Sequence, residues 1–129
     1  MAQIFIDAST KQQPLHSACG IVLKMDETTI EYGEYLGQID NHTAEWQSLI
    51  VGMKLAIQQG CQSLLINSDS KIVVDSIDKQ YVKQPLFKSY LQDYNTLATA
   101  FELVLINWIP RQQNKHADTI ARRTLQQYI

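Results

Sequence analysis

The sequence has few cysteines and no long apolar run, and each absence excludes a class of protein. Its two cysteines, Cys19 and Cys61, lie far apart, and neither has a second cysteine near it at metal-ligand spacing. We therefore expect two buried, reduced thiols, as in a cytosolic protein, and not a disulfide. No apolar stretch approaches the roughly 20 residues of a membrane-spanning helix, so we expect no membrane association.

The sequence also lacks a large excess of charge of either sign. The 129 residues carry a net charge of −2, and the sequence pI is about 5.8. This balance argues against a protein that holds nucleic acid by bulk positive charge, although a local basic face stays possible. Because the sequence shows no secretory signal, we expect a cytoplasmic protein. Repeats, low-complexity tracts and linkers are also missing, which predicts a single domain over residues 1–129.

One stretch near the middle of the chain organises the predicted fold. Residues 64–67 are apolar without polar alternation, which indicates a strand that is covered on both faces. Ser68 and Ser70 are good helix N-caps, and a helix should follow them, with Val73 and Ile77 one turn apart on its apolar face. Asp69 therefore stands at the carboxyl end of a buried strand, where open α/β sheets bind their ligands.

The remaining elements predict an α/β protein with a mixed five-stranded sheet flanked by helices. Short connections join the first three strands, which favours an antiparallel meander, and helical crossovers join the last two as parallel strands. We expect Trp46 and Trp108 in or near the core and His116 on the surface. The predicted strands are residues 3–7, 18–25, 29–38, 64–67 and 103–108, with a loop over 8–17. The first predicted helix starts within residues 40–43 and ends at Gly60, and the second starts within residues 68–70. The third predicted helix spans residues 87–101, and the fourth spans residues 114–128.

Four acidic residues, Asp7, Glu45, Asp69 and Asp118, fall where this fold brings them to one edge of the sheet. Each has an ordinary alternative role. Asp7 could form a turn and Asp69 could be an N-cap, while Glu45 and Asp118 could interact with the dipole in the first turn of a helix. Together, however, four converging carboxylates would repel one another, so we expect a divalent cation between them. Oxygen ligands of this kind suit Mg²⁺ or Mn²⁺ and not zinc.

The residues around these carboxylates resemble the type 1 branch of ribonuclease H, which includes the reverse-transcriptase-like ribonuclease H domains. The resemblance spans nearly the whole chain in the order of the family. The matching segments are Phe5-Ile6-Asp7-Ala8-Ser9, Gly20-Ile21-Val22, Asn41-His42-Thr43-Ala44-Glu45, Asn67-Ser68-Asp69-Ser70-Lys71, and Trp108-Ile109-Pro110-Arg111 with Asn114-Lys115-His116-Ala117-Asp118.

The resemblance implies an endonuclease that hydrolyses the RNA strand of RNA–DNA hybrids and leaves 5′-phosphate and 3′-hydroxyl ends. Two Mg²⁺ ions would be bound together with the substrate, and Mn²⁺ could replace them. By the same resemblance, Asp7 is a ligand of both ions, Glu45 and Asp69 are ligands of one, and Asp118 is a ligand of the other.

The resemblance also implies substrate contacts from Ser9, Asn41 and Arg111, with 2′-hydroxyl groups distinguishing RNA from DNA. A helix cap is the alternative role for Asn41. Arg111 stands on the loop where many members of the family carry a histidine.

The sequence lacks the basic protrusion of some members, so we expect weak, salt-sensitive substrate binding. A weak or inactive member that binds nucleic acid or a protein partner is therefore an alternative. A third possibility is a different nuclease on the same fold, such as an exonuclease or an enzyme that cuts double-stranded RNA. The oligomeric state stays open, with a slight preference for a monomer.

Overall fold

A single mixed sheet forms the centre of the molecule. The computed structural model describes residues 1–128. The strands are β1 (Ala2–Lys11), β2 (His16–Lys24), β3 (Thr29–Gly37), β4 (Ser63–Ser68) and β5 (Leu103–Trp108). Their spatial order is β3-β2-β1-β4-β5, with antiparallel pairing among the first three strands and parallel pairing of β1 with β4 and of β4 with β5. The predicted fold class and sheet composition are confirmed.

Four helices flank the sheet. They are α1 (Asn41–Gln58), α2 (Lys71–Lys79), α3 (Pro85–Ala98) and α4 (Lys115–Gln126), and a short 3-10 turn over Arg111–Gln113 precedes the last one. The N-cap of α1 is Asp40, whose Oδ1 accepts a hydrogen bond from the Thr43 backbone N–H at 2.8 Å. None of the helices within residues 1–128 combines the length and apolarity that crossing a membrane requires.

The predicted loop over residues 8–17 is wrong in part, because β1 continues to Lys11 and β2 begins at His16. The polar residues of this hairpin satisfy one another across the strands. The Thr10 and Ser17 hydroxyl groups are 2.7 Å apart, and the Ser17 hydroxyl donates to the Ile39 carbonyl at 2.7 Å. Hydrogen-bonded pairs of this kind allow a polar sequence to remain in a strand, so composition alone misjudged the segment.

Two predicted helices extend too far. The helix predicted to reach residue 101 ends at Ala98, and Phe101 is buried just beyond it. The last helix ends at Gln126, so Tyr128, which was predicted to lie in this helix, is outside it. The Tyr128 ring is instead exposed and stacks on Tyr35 with 4.4 Å between ring centroids.

The main core lies between the sheet and the face formed by α1 and α3. Trp46 is fully buried there, as predicted, whereas the prediction for Trp108 is wrong, since its exposure is 47%. Trp108 ends the edge strand β5, where one side of the strand has no neighbour. Both thiols are free, but Cys61 is half-buried and only Cys19 is fully buried. His116 is exposed, as predicted, and contacts Glu31.

The opposite face of β1, β2 and β3 is covered by α4, which approaches the backbone of β2 very closely. A Cβ atom placed on Gly20 would overlap the Ala117 carbonyl oxygen and lie 2.5 Å from the Ala121 nitrogen. Glycine therefore permits this approach. The contact fixes the start of α4, and with it Asp118, against the sheet.

Candidate active site

Asp7 and Asp69 are neighbours because two parallel strands separate at this point. The pairing of β1 with β4 ends with Ile6 opposite Ser68, and the residue that follows each of these two is an aspartate. Asp69 follows its strand, as predicted. Asp7, however, does not end β1, because the strand continues and Asp7 still pairs with Gly20 of β2. The shared edge arises where β4 stops and β1 continues.

Helices bring the other two carboxylates to this edge. Glu45 is the fifth residue of α1, so the expectation that it lies in the first turn is wrong by one residue. Asp118 lies in the first turn of α4, as predicted, and its backbone N–H donates to the Asn114 carbonyl at 3.1 Å. Its carboxylate also accepts from Arg122 Nε at 3.1 Å.

All seven residues predicted to act in the site line one cavity of about 430 Å³. The cavity contains the four acidic residues and three basic residues, Arg111 from the turn before α4 and Lys115 and Arg122 from α4 itself. The lining residues are Asp7, Ala8, Ser9, Thr10, Asn41, Glu45, Asp69, Arg111, Gln112, Lys115, Asp118 and Arg122. The structure therefore brings the predicted set together in one place.

Hydrogen bonds from two side chains hold the Glu45 carboxylate. Asn41 Nδ2 donates to Oε1 at 3.0 Å, and the Ser70 hydroxyl donates to Oε2 at 2.6 Å. Thr10 Oγ1 in turn donates to Asn41 Oδ1 at 3.3 Å. The helix-cap role considered for Asn41 is wrong, because Asp40 is the cap. The role of Thr10 was missed, since it depends on a hairpin that was predicted to be a loop.

Asp69 is held from the side of α4. Asn114 Nδ2 donates to Asp69 Oδ2 at 3.0 Å, and Trp108 Nε1 donates to the Asp69 carbonyl at 3.2 Å. The N-cap alternative for Asp69 is wrong, since Ser70 is the N-cap of α2 and its hydroxyl accepts from the Val73 N–H at 3.4 Å. The sequence offered one signal for Asn114, its position one helical turn before Asp118.

The electrostatics of the site favour a cation. Burial, the neighbouring charge of Asp69 and a hydrogen bond with Asp118 raise the pKa of Asp7 to about 8. Within residues 1–128, no three His, Cys, Asp or Glu side chains form a metal site with ready-made geometry. The donor set is nevertheless all oxygen and lines one cavity, which fits Mg²⁺ or Mn²⁺.

A family model described as reverse transcriptase-like matches residues 5–124. The chain belongs to this family. The match includes all four carboxylates and the elements that carry them. It confirms the resemblance to the reverse-transcriptase-like ribonuclease H domains that the motifs indicated.

Relatives of the chain differ in length. A putative hydrolase of Enterococcus faecalis, EbsB, is 42% identical over 130 residues, which cover 99% of this chain and 96% of that protein. The bifunctional protein Rv2228c of Mycobacterium tuberculosis is 32% identical over 120 residues, which cover 89% of this chain. The matched region is 33% of Rv2228c, so the chain spans about a third of this longer relative.

Solved structures show the same fold. The N-terminal RNase H domain of Rv2228c, solved as a fusion with maltose binding protein, superposes with a TM-score of 0.89 at 26% identity, covering 98% of this chain and 94% of that one. LC11-RNase H1, solved in complex with an RNA/DNA hybrid, gives a TM-score of 0.90 at 20% identity, covering 99% of each chain. The chain therefore has the ribonuclease H fold.

Proposed function

We propose that this protein is a metal-dependent endonuclease that hydrolyses the RNA strand of RNA–DNA hybrids. The observation that carries the proposal is the convergence of four carboxylates, from β1, the end of β4 and two helices, in one cavity. Membership of the reverse transcriptase-like family and the hybrid bound to LC11-RNase H1 support the class of substrate. The alternative of a binding protein without activity is not favoured, because the complete set of carboxylates is present.

In the proposed mechanism, the four carboxylates would hold two Mg²⁺ ions, or Mn²⁺ in their place, together with the substrate. The ions would supply positive charge against the negative charge that develops on the scissile phosphate. Asp7 neighbours both Asp69 and Asp118 and would contribute to both ions. Glu45 and Asp69 would hold one ion and Asp118 the other, with 5′-phosphate and 3′-hydroxyl ends as the products.

The other residues of the cavity would bind and orient the nucleic acid. Arg111, Lys115 and Arg122 place positive charge beside the carboxylates, where a phosphate backbone would lie. Ser9 and Asn41 line the same cavity and are suited to hydrogen bonds with 2′-hydroxyl groups. Arg111 would then carry its charge close to the 5′-phosphate of the product.

The proposal is tested with an RNA strand, labelled at its 5′ end and annealed to DNA, incubated at low salt with Mg²⁺ and separately with Mn²⁺. DNA duplex, RNA duplex and single-stranded RNA are run as parallel substrates. Internal cuts in the hybrid alone, with 3′-hydroxyl ends on the labelled fragments, are the expected result. Stepwise trimming would indicate an exonuclease. Binding of the hybrid without turnover in either metal would overturn the proposal.

A further inference from the structure

We propose that Asn114 is a positioning residue that sets the relative placement of three of the four carboxylates, an inference that rests on the proposed function. The side chain of Asn114 is 1% exposed, and it lies between β1, the end of β4 and the start of α4. It is not expected to touch substrate or metal. Its effect would come through the atoms that it fixes.

One amide group connects two strands at the point where they separate. Asn114 Nδ2 donates to the Ile6 carbonyl at 2.8 Å and to Asp69 Oδ2 at 3.0 Å. Ile6 is the residue before Asp7, so a single nitrogen is bonded next to one carboxylate and directly to another. Using both protons of this nitrogen fixes the separation of Asp7 and Asp69.

The backbone of Asn114 holds the third carboxylate residue, Asp118. Its carbonyl oxygen accepts the hydrogen bond of the Asp118 N–H at 3.1 Å, which forms the first turn of α4. A displacement of Asn114 would therefore move Asp118 together with Asp69. Glu45 is outside this arrangement, because Asn41 and Ser70 hold it.

The remaining atom of the amide argues for a specific role. Among residues 1–128, Asn114 Oδ1 is a buried side-chain acceptor without a hydrogen-bond partner. A buried acceptor without a partner destabilises the folded state. The opposite orientation of the amide would place this oxygen against two other acceptors, so the donors determine the orientation. The residue keeps an unfavourable buried oxygen while its nitrogen holds two acceptors of the site.

The chain offers a matched control in Asn67. This residue is also buried, with 3% exposure, and its Nδ2 also donates to a carbonyl of β1, that of Ile4, at 3.4 Å. Its other hydrogen bonds are with the side chains of Gln3 and Asn107, and within residues 1–128 none of its hydrogen bonds reaches a carboxylate. Replacing either asparagine removes a buried amide next to β1, but only one replacement changes the support of Asp69.

The test compares Asn114→Ala and Asn67→Ala with the wild type by three measurements. Mn²⁺ binding is followed by electron paramagnetic resonance, kcat and KM are measured on the hybrid, and thermal melting reports folding. Asn114→Ala should weaken Mn²⁺ binding about tenfold and lower kcat about 10- to 100-fold. Its KM should stay within about threefold of the wild type, because no substrate contact is lost. Asn67→Ala should lower the melting temperature but leave Mn²⁺ binding and kcat unchanged.

If the alanine variant does not fold, Asn114→Ser is a second variant. Serine is also a favoured N-cap residue, and Asn114 is at the N-cap position of α4. Equal Mn²⁺ binding and kcat in the Asn114 and Asn67 variants would overturn the inference. Failure of both Asn114 variants to fold, while Asn67→Ala folds, would also overturn it, because Asn114 would then serve the fold alone. If the wild type cuts no hybrid, the proposed function fails, and the Mn²⁺ titration still decides the role of Asn114.

Discussion

The Ser70 hydroxyl donates a hydrogen bond to Glu45 Oε2 at 2.6 Å, which joins the start of α2 to a carboxylate of α1. The same oxygen accepts the Val73 N–H at 3.4 Å as the N-cap of α2. One hydroxyl group therefore begins a helix and orients a residue of the candidate site. Since Ser70 follows Asp69 directly, the positions of two carboxylates depend on this turn.

Replacing Ser70 with alanine should affect both stability and activity. Loss of the N-cap should lower the free energy of unfolding by about 1 kcal/mol. Loss of the hydrogen bond to Glu45 should lower kcat on the hybrid about tenfold, because the carboxylate can then rotate. Urea denaturation and steady-state kinetics measure the two effects. Ser76→Ala is the control, since its hydroxyl is exposed and donates only to the Ile72 carbonyl of the same helix. Equal kcat for the two variants would contradict the prediction.

Gly20→Ala should disturb the site from beneath α4. The added methyl group would overlap the Ala117 carbonyl oxygen, so α4 must move away from β2 and carry Asp118 with it. We expect a loss of about 2–3 kcal/mol in the free energy of unfolding and a fall in kcat. Chemical denaturation and hybrid cleavage measure both.

Gly37→Ala is the control variant for Gly20→Ala. Gly37 has a φ of +95°, but nothing lies within 4 Å of a Cβ atom placed there. Alanine at this position should cost about 1 kcal/mol through backbone strain and leave kcat unchanged. A fall in kcat for Gly37→Ala as large as that for Gly20→Ala would show that general destabilisation, and not displacement of α4, lowers activity.

The pKa of Asp7 predicts how stability depends on pH without divalent ions. This pKa is raised from 3.8 to about 8, so the folded protein keeps a proton that the unfolded chain releases between these values. The free energy of unfolding should therefore fall as the pH rises from about 4 to about 8. Asp7→Asn removes this loss, and at pH 7.5 it should be more stable than the wild type by on the order of 1 kcal/mol or more.

Thermal melts in EDTA across this pH range measure the effect. The exposed Asp93 of α3 gives the control variant Asp93→Asn, which should follow the wild type. The difference between Asp7→Asn and the wild type should widen with pH and level off above about 8. Parallel curves for these two proteins would contradict the prediction.

Arg111→Gln should weaken hybrid binding and reduce its salt dependence. If Arg111 neutralises one phosphate, its loss should lower the slope of log K against log salt by about 1. Fluorescence anisotropy with a labelled hybrid in EDTA measures binding without cleavage. Arg123→Gln removes an exposed charge from α4 that does not line the cavity, so it serves as the control. An equal change of slope in both variants would indicate a general charge effect.

The sequence predicted the sheet well because its strands leave local signals, and the structure brings the four predicted carboxylates to one cavity. The strand Leu103–Trp108 has the predicted bounds, since it is an apolar run. The hairpin after Asp7 was missed because its polar residues are satisfied across strands, as in the pair of Thr10 and Ser17. The contacts of Asn114 could not be predicted, because the amide bonds to a carbonyl 108 residues earlier in the chain. Contacts of this range depend on the finished fold.

Cleavage of an RNA–DNA hybrid by the wild type and by Asp69→Asn in Mg²⁺ tests the central claim most directly. The substitution keeps the size of the side chain and removes the charge of one proposed metal ligand. The wild type should cut the RNA strand internally, and the rate should fall at least about 100-fold in the variant, which should remain folded in thermal melts. Equal cleavage by the two folded proteins would contradict the account, because the converging carboxylates would then play no part in the reaction.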